Sequence, residues 1–168
     1  EIPAADGFDP MMMLPQSRFN PQAMLDELVQ LAHNEIPAGG LRQLVETLLT
    51  THREQLLRFP AAKWHHHAFV GGLLEHTLSM ARTCVYLADK YAQKYPDMQP
   101  PLDKGLVVAG AILHDIGKLQ ELDQQPTGTE YTAPGAMIGH LLLGRDMVRQ
   151  AASGIKIDAD TLLRLEHL

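Results

Sequence analysis

The sequence predicts an all-α domain: a bundle of six or more helices with one small β-hairpin. Three observations carry this. Apolar residues recur every three or four positions in nearly every long segment. Clusters of Pro and Gly cut the chain into helix-sized pieces. Only one stretch, around Pro126–Gly128, offers two short extended pieces that a turn could join.

Residues 1–19 contain Pro and Gly with little periodicity and are read as a linker or an arm lying on the domain. The domain proper is assigned to residues 20–168. Asn20 as N-cap and Pro21 at the first helical position start a helix striped by Met24, Leu25, Leu28 and Leu31. After Pro37, Gly39 and Gly40, a second helix carries Leu41, Leu44, Val45, Leu48 and Leu56 and ends by Pro60. The loop "AAKWHHH" leads into a third helix, about Ala68 to Tyr91. A fourth, about Asp103 to Asp115, is apolar nearly all round, which predicts a central buried helix. The hairpin follows. "PGAMIGHLLLGRDMVRQAA" then reads as one helix ended by Gly154, and Asp158 caps a last one, "ADTLLRLEHL".

At 168 residues the chain suffices for one domain with a substantial core. Its 45% apolar and 20% charged residues are those of a soluble globular protein, and no apolar run reaches membrane-spanning length. "DPMMMLP" is too short for a signal sequence. A single cysteine, Cys84, excludes an internal disulfide framework and predicts a reducing, cytoplasmic setting. The net charge of −6 argues against simple electrostatic capture of nucleic acid; phosphate attraction would need metal ions or another domain. The chain begins at Glu1 and ends at Leu168 inside a predicted helix, which suggests part of a longer protein.

Four histidines project from apolar surroundings. His76 lies between Leu73 and Met80 at one-turn spacing. His114 ends the buried helix. His140 follows Met137, with open space expected at Gly144, and His167 follows Leu163 by one turn. Singly, each is explained as a core residue with a hydrogen-bond partner. Together, on four helices, they call for a common partner, and one metal ion would satisfy them all. Asp115, a carboxylate at the end of an apolar helix, must be paired, protonated or metal-bound. Lys118, three residues on, falls on the same side if the helix persists; a plain ion pair would explain that much. His33 and His52 read as solvated. His66 and His67, one or two turns before His76, are candidates to line the site.

"GLLEHT" at Gly72–Thr77 followed by "ILHDIGK" at Ile112–Lys118 resembles the HD superfamily of metal-dependent phosphohydrolases, named for the dyad that His114 and Asp115 match. With "MIGHLLLG" and "LEHL", the context is most similar to the HD domain of YhaM-type 3′→5′ exoribonucleases, in which that domain follows an OB-fold nucleic-acid-binding domain. The resemblance implies that His76, His114 and Asp115 hold one metal. It implies a second ion held by His140 and His167, with Asp115 bridging, and a phosphate-facing Lys118. The pattern's last Asp belongs on a helix after His167, so a C-terminally truncated domain with an incomplete ligand set is expected, preceded in the whole protein by an OB-fold.

The implied activity is metal-dependent hydrolysis of single-stranded RNA or DNA from the 3′ end, with Asp115 and Lys118 as catalytic residues. A divalent ion can lower the pKa of water from 15.7 to about 7, and a second ion can clamp the attacking and leaving oxygens. Mixed His and Asp ligands suit Mn foremost, then Fe, Co, Ni or Zn, better than Mg. Such ions would also offset the net charge locally. Two other functions fit the same residues: hydrolysis of free or cyclic nucleotides, and a non-catalytic module that binds metal or nucleotide. Lys118, His66 and His67 would touch the substrate in the enzymatic readings, and a homo-oligomer is compatible with all three.

Overall fold

The computed structural model describes residues 13–125 and 127–168. Its elements are α1 (Pro21–Glu35), α2 (Gly40–Thr51), α3 (Arg53–Leu56), α4 (Gly72–Lys94), α5 (Lys104–Leu113), α6 (Lys118–Glu121), β1 (Leu122–Gln125), β2 (Gly128–Tyr131), α7 (Ala133–Ile138), α8 (His140–Ala152) and α9 (Ala159–His167). The all-α class with one hairpin is as the sequence predicts. The strands pair antiparallel, Leu122 opposite Tyr131 through Gln125 opposite Gly128. Pro126, expected at the turn, and residues 1–12 of the expected arm lie outside the described residues. From Pro15 to Ser17 the chain lies on the domain, exchanging backbone hydrogen bonds with Val70.

Helix starts follow side-chain chemistry. The side chains of Asn20, Asp103, Thr132 and Asp158 each accept a backbone N–H three residues on, at 2.9–3.0 Å, and each such cap contributes about 1 kcal/mol. α5 is the central element. Of its residues only Lys104 and Val107 escape full burial. α4 runs along it, α1 covers both, α2 lies against α1, α5 and α8, and α9 closes on α5. Leu28, Ala32, Leu44, Val45, Leu74, Ala81, Val108 and Ala109 at the centre have no exposed surface.

Three helix boundaries differ from those expected. The helix expected from Ala68 starts at Gly72, because Gly71 adopts a left-handed φ of 78° and the preceding residues form a turn. The expected second helix breaks at His52 into α2 and α3. The expected single helix after the hairpin breaks at Gly139 (φ 80°, ψ 161°) into α7 and α8. That break puts His140 at the start of α8, whereas the one-helix reading placed it mid-helix beside Met137, which is 86% exposed.

Candidate metal centre

The centre forms where α5 ends. α5 stops at Leu113, and His114–Gly117 make a turn before α6, which lets the consecutive side chains of His114 and Asp115 meet, Nε2 to Oδ2, at 3.3 Å. α4 brings His76 across from the neighbouring helix. His76 Nε2, His114 Nε2 and Asp115 Oδ2 form a triangle with sides of 3.2, 3.3 and 3.4 Å. Metal bonds of about 2.0–2.2 Å place neighbouring ligand atoms about 2.8–3.6 Å apart in tetrahedral or octahedral geometry, and the triangle falls within that range. These three residues are the metal-compatible cluster among the described residues.

The donor chemistry also fits a cation. The His114 Nδ1 donates to the Ala111 carbonyl at 2.9 Å, so the neutral ring turns a bare Nε2 to the triangle. His140 is oriented in the same way: its Nδ1 donates to Glu121 Oε1 at 3.0 Å, leaving Nε2 facing Asp115 Oδ1 at 3.5 Å. Asp115, 5% exposed, therefore turns one oxygen to His76 and His114 and the other to His140. Lys118 Nζ lies 2.8 Å from Oδ2.

Burial alone would push the Asp115 carboxyl up, but hydrogen bonds from His114 and Lys118 outweigh it and hold the group far below the ordinary carboxylate range. His76 is lowered, chiefly by burial, against the opposing pull of Asp115. His114 is raised, chiefly by its hydrogen bond to Asp115, against its own burial. The site thus holds an ionised carboxylate beside an imidazole that gives up its proton readily.

Two glycines bring the halves of the site together. A Cβ on Gly117 would overlap the His140 carbonyl and crowd the Gly144 backbone. Gly144 thus seats Gly117, where open space was expected. Gly72 plays the same part on the other side, against the His67 carbonyl. That contact folds the His65–His67 loop back, and the His66 and His67 rings come 6.2 and 5.5 Å from the His76 ring, centroid to centroid.

His167 is placed differently. It is exposed, and Leu163 one turn before it is 64% exposed, so the apolar face expected there is absent. His167 stands on the wall of a cavity of about 370 Å³ whose floor includes His114, Asp115 and His140, outside the converging triangle. His33 is exposed beside Glu46, and His52 is partly buried and bonded to Gln55. The residue that sequence reasoning missed is Glu121, buried and bonded to His140. Nothing in the sequence singled it out, since it stands among Lys118, Gln120, Asp123 and Gln124 in a mostly polar stretch.

An all-helical bundle with a His–Asp dyad at the end of its central helix and a third ligand from the neighbouring helix defines a class of metal-centred domains. The HD domain family model matches residues 73–167, more than half of the chain, and the chain belongs to that family. Curated relatives agree. The chain is 33% identical over 165 residues to the 3′-5′ exoribonuclease YhaM of Listeria monocytogenes, covering 98% of this chain and 50% of that protein. It is 38% identical over 148 residues to that of Shouchella clausii (88% and 43%) and 34% identical over 145 residues to that of Bacillus subtilis (86% and 43%). The chain spans about half the length of these relatives or somewhat less. No solved structure gives a significant match. No helix among the described residues is long and apolar enough to cross a membrane.

Proposed function

We propose that this domain is the hydrolytic part of a metal-dependent phosphodiesterase that degrades single-stranded RNA or DNA from the 3′ end. The carrying observation is the two-sided carboxylate: Asp115 Oδ2 joins His76 and His114, while Oδ1 faces His140. His76, His114 and Asp115 would hold one divalent transition metal, with manganese the first choice. Asp115 and His140 would hold a second, with His167 as a more distant ligand across the cavity. Bound there, such ions supply Lewis-acid activation of water and neutralise phosphoryl charge. Lys118 keeps Asp115 ionised and offers its ammonium to a phosphoryl oxygen, where developing charge is stabilised most effectively. His66 and His67 line the approach. The relatives named as exoribonucleases favour a polymer over a free nucleotide.

The test is incubation of the whole protein with 5′-labelled single-stranded RNA and Mn²⁺. Wild type should shorten the strand from its 3′ end, and a His114→Ala, Asp115→Ala double variant should not. Equal degradation by both removes the assignment. Hydrolysis of mononucleotides or cyclic dinucleotides with the strand left intact would transfer the site to small-molecule chemistry.

A further inference from the structure

We propose that Trp64 is a stacking platform for an unpaired nucleobase of the strand whose 3′-terminal phosphodiester lies at the metal centre. This rests on the nuclease reading above and adds how the site selects single strands. Trp64 is the only tryptophan of the chain, and it is 67% exposed. One exposed aromatic is ordinary. Its setting is not.

The loop that carries Trp64 is held in a fixed course. The Ala61 N–H donates to the His67 carbonyl at 2.9 Å, and Gly72 packs on that same carbonyl. His65 and His67 adopt φ of 74° and 56°, left-handed values that side-chain-bearing residues take only when the surroundings impose them. This course turns Trp64 outward while folding the next histidines onto His76. Two residues of backbone span at most about 7 Å, so the Trp64 backbone lies within that distance of His66, whose ring is 6.2 Å from that of His76. Trp64 thus belongs to the same short loop as the histidines that approach His76.

The indole also has a cationic neighbour. Lys63 Nζ lies 5.3 Å from the ring centroid and 2.5 Å from Glu130 Oε2 on β2. That ion pair commits the lysine charge to Glu130, so Lys63 contributes a cation–π contact to the ring. Between this loop and the hairpin lies a cavity of about 310 Å³ lined by Trp64, His65, Phe69, Pro60 and Thr129. A ring-lined slot of that size suits a nucleobase with its sugar. Every base has a π-face, so stacking gives affinity without sequence preference. A base inside a duplex has both faces covered by its neighbours and cannot use it.

The experiment uses the whole protein, Trp64→Leu and Trp64→Phe, in two assays. In chelator, without turnover, an oligothymidylate should quench tryptophan emission saturably, and the difference between wild type and Trp64→Phe assigns the quenching to Trp64. A duplex closed by a hairpin loop at each end should quench no more than its loops alone. With Mn²⁺, Trp64→Leu should raise KM for a single strand by about 5- to 150-fold, the range of one lost stack. Trp64→Phe should recover most of it. Strand binding and KM unchanged in Trp64→Leu, with wild type cutting the strand, overturn the stacking role. A wild type that cuts no strand overturns the nuclease reading instead. Circular dichroism of both variants guards against misfolding.

Discussion

Glu121 grips His140 twice: its Oε1 accepts both the backbone N–H and the ring Nδ1, each at 3.0 Å. This fixes the first residue of α8 and the tautomer of its ring together. A carboxylate behind a metal-facing imidazole raises its basicity and holds its direction, and loss of such a partner costs 10- to 100-fold in metal affinity or activity. Glu121→Ala should therefore weaken Mn²⁺ binding on the His140 side by about 10- to 100-fold in chelator competition. Affinity equal to wild type would deny Glu121 this role. Glu121→Gln keeps an acceptor and should fall between.

Lys118 shares Asp115 Oδ2 with the ligand triangle. Its ammonium competes with a cation for that oxygen, and in the proposed reaction it would serve the phosphoryl group. Lys118→Met should leave metal affinity undiminished while lowering strand hydrolysis by about 10²- to 10³-fold, the usual loss for one charge-stabilising donor. A matching drop in metal affinity would make Lys118 a support of the carboxylate rather than a catalytic residue.

The opposite shifts of His76 and His114 give the centre a defined pH response. His114 is raised, so in the metal-free protein its proton stabilises the fold fully below the ordinary histidine value; that contribution is lost as pH rises through the raised value. A metal must displace this proton. Apparent Mn²⁺ affinity should fall as pH drops from above the raised His114 value to below the ordinary histidine value, with proton release measurable by calorimetry in buffers of different ionisation enthalpy. A flat affinity across this span would contradict His114 as a ligand.

The contact between Gly117 and the start of α8 leaves no room for a side chain. Gly117→Ala should cost about 1–3 kcal/mol in urea unfolding, the range for overpacking, because backbone rather than a flexible side chain must move. Gly154→Ala, where a Cβ meets open space, is the control and should lie within about 0.5 kcal/mol of wild type.

Much of this centre is legible in the sequence. His76, His114 and Asp115 stand on or beside strongly periodic apolar segments, where a polar side chain needs a reason. The buried character of α5 followed from its uniform apolarity. Less legible was whatever depended on a backbone break. Gly139 sits inside a helical pattern that reads through it, since helix interiors tolerate glycine at about 1 kcal/mol. The turn at Gly139 reorients His140 and brings it to Glu121, so that pairing was hidden. The same holds for His52, where the pattern continues but the helix does not, and for the left-handed course of His65 and His67. His167 shows the converse: one-turn spacing from Leu163 suggested an apolar face, but that face looks outward.

The carboxylate of Asp115 answers to two separately built parts of the molecule. One oxygen belongs to the α4–α5 pair, set deep in the core. The other faces the start of α8, whose first turn is placed by a glycine contact and a single glutamate. Damage to that attachment should strip the weaker coordination position first and leave the deeper one occupied, so the domain would fail in stages. Partly disabled variants should then retain about one equivalent of tightly held ion while losing turnover, a stoichiometry that elemental analysis can count.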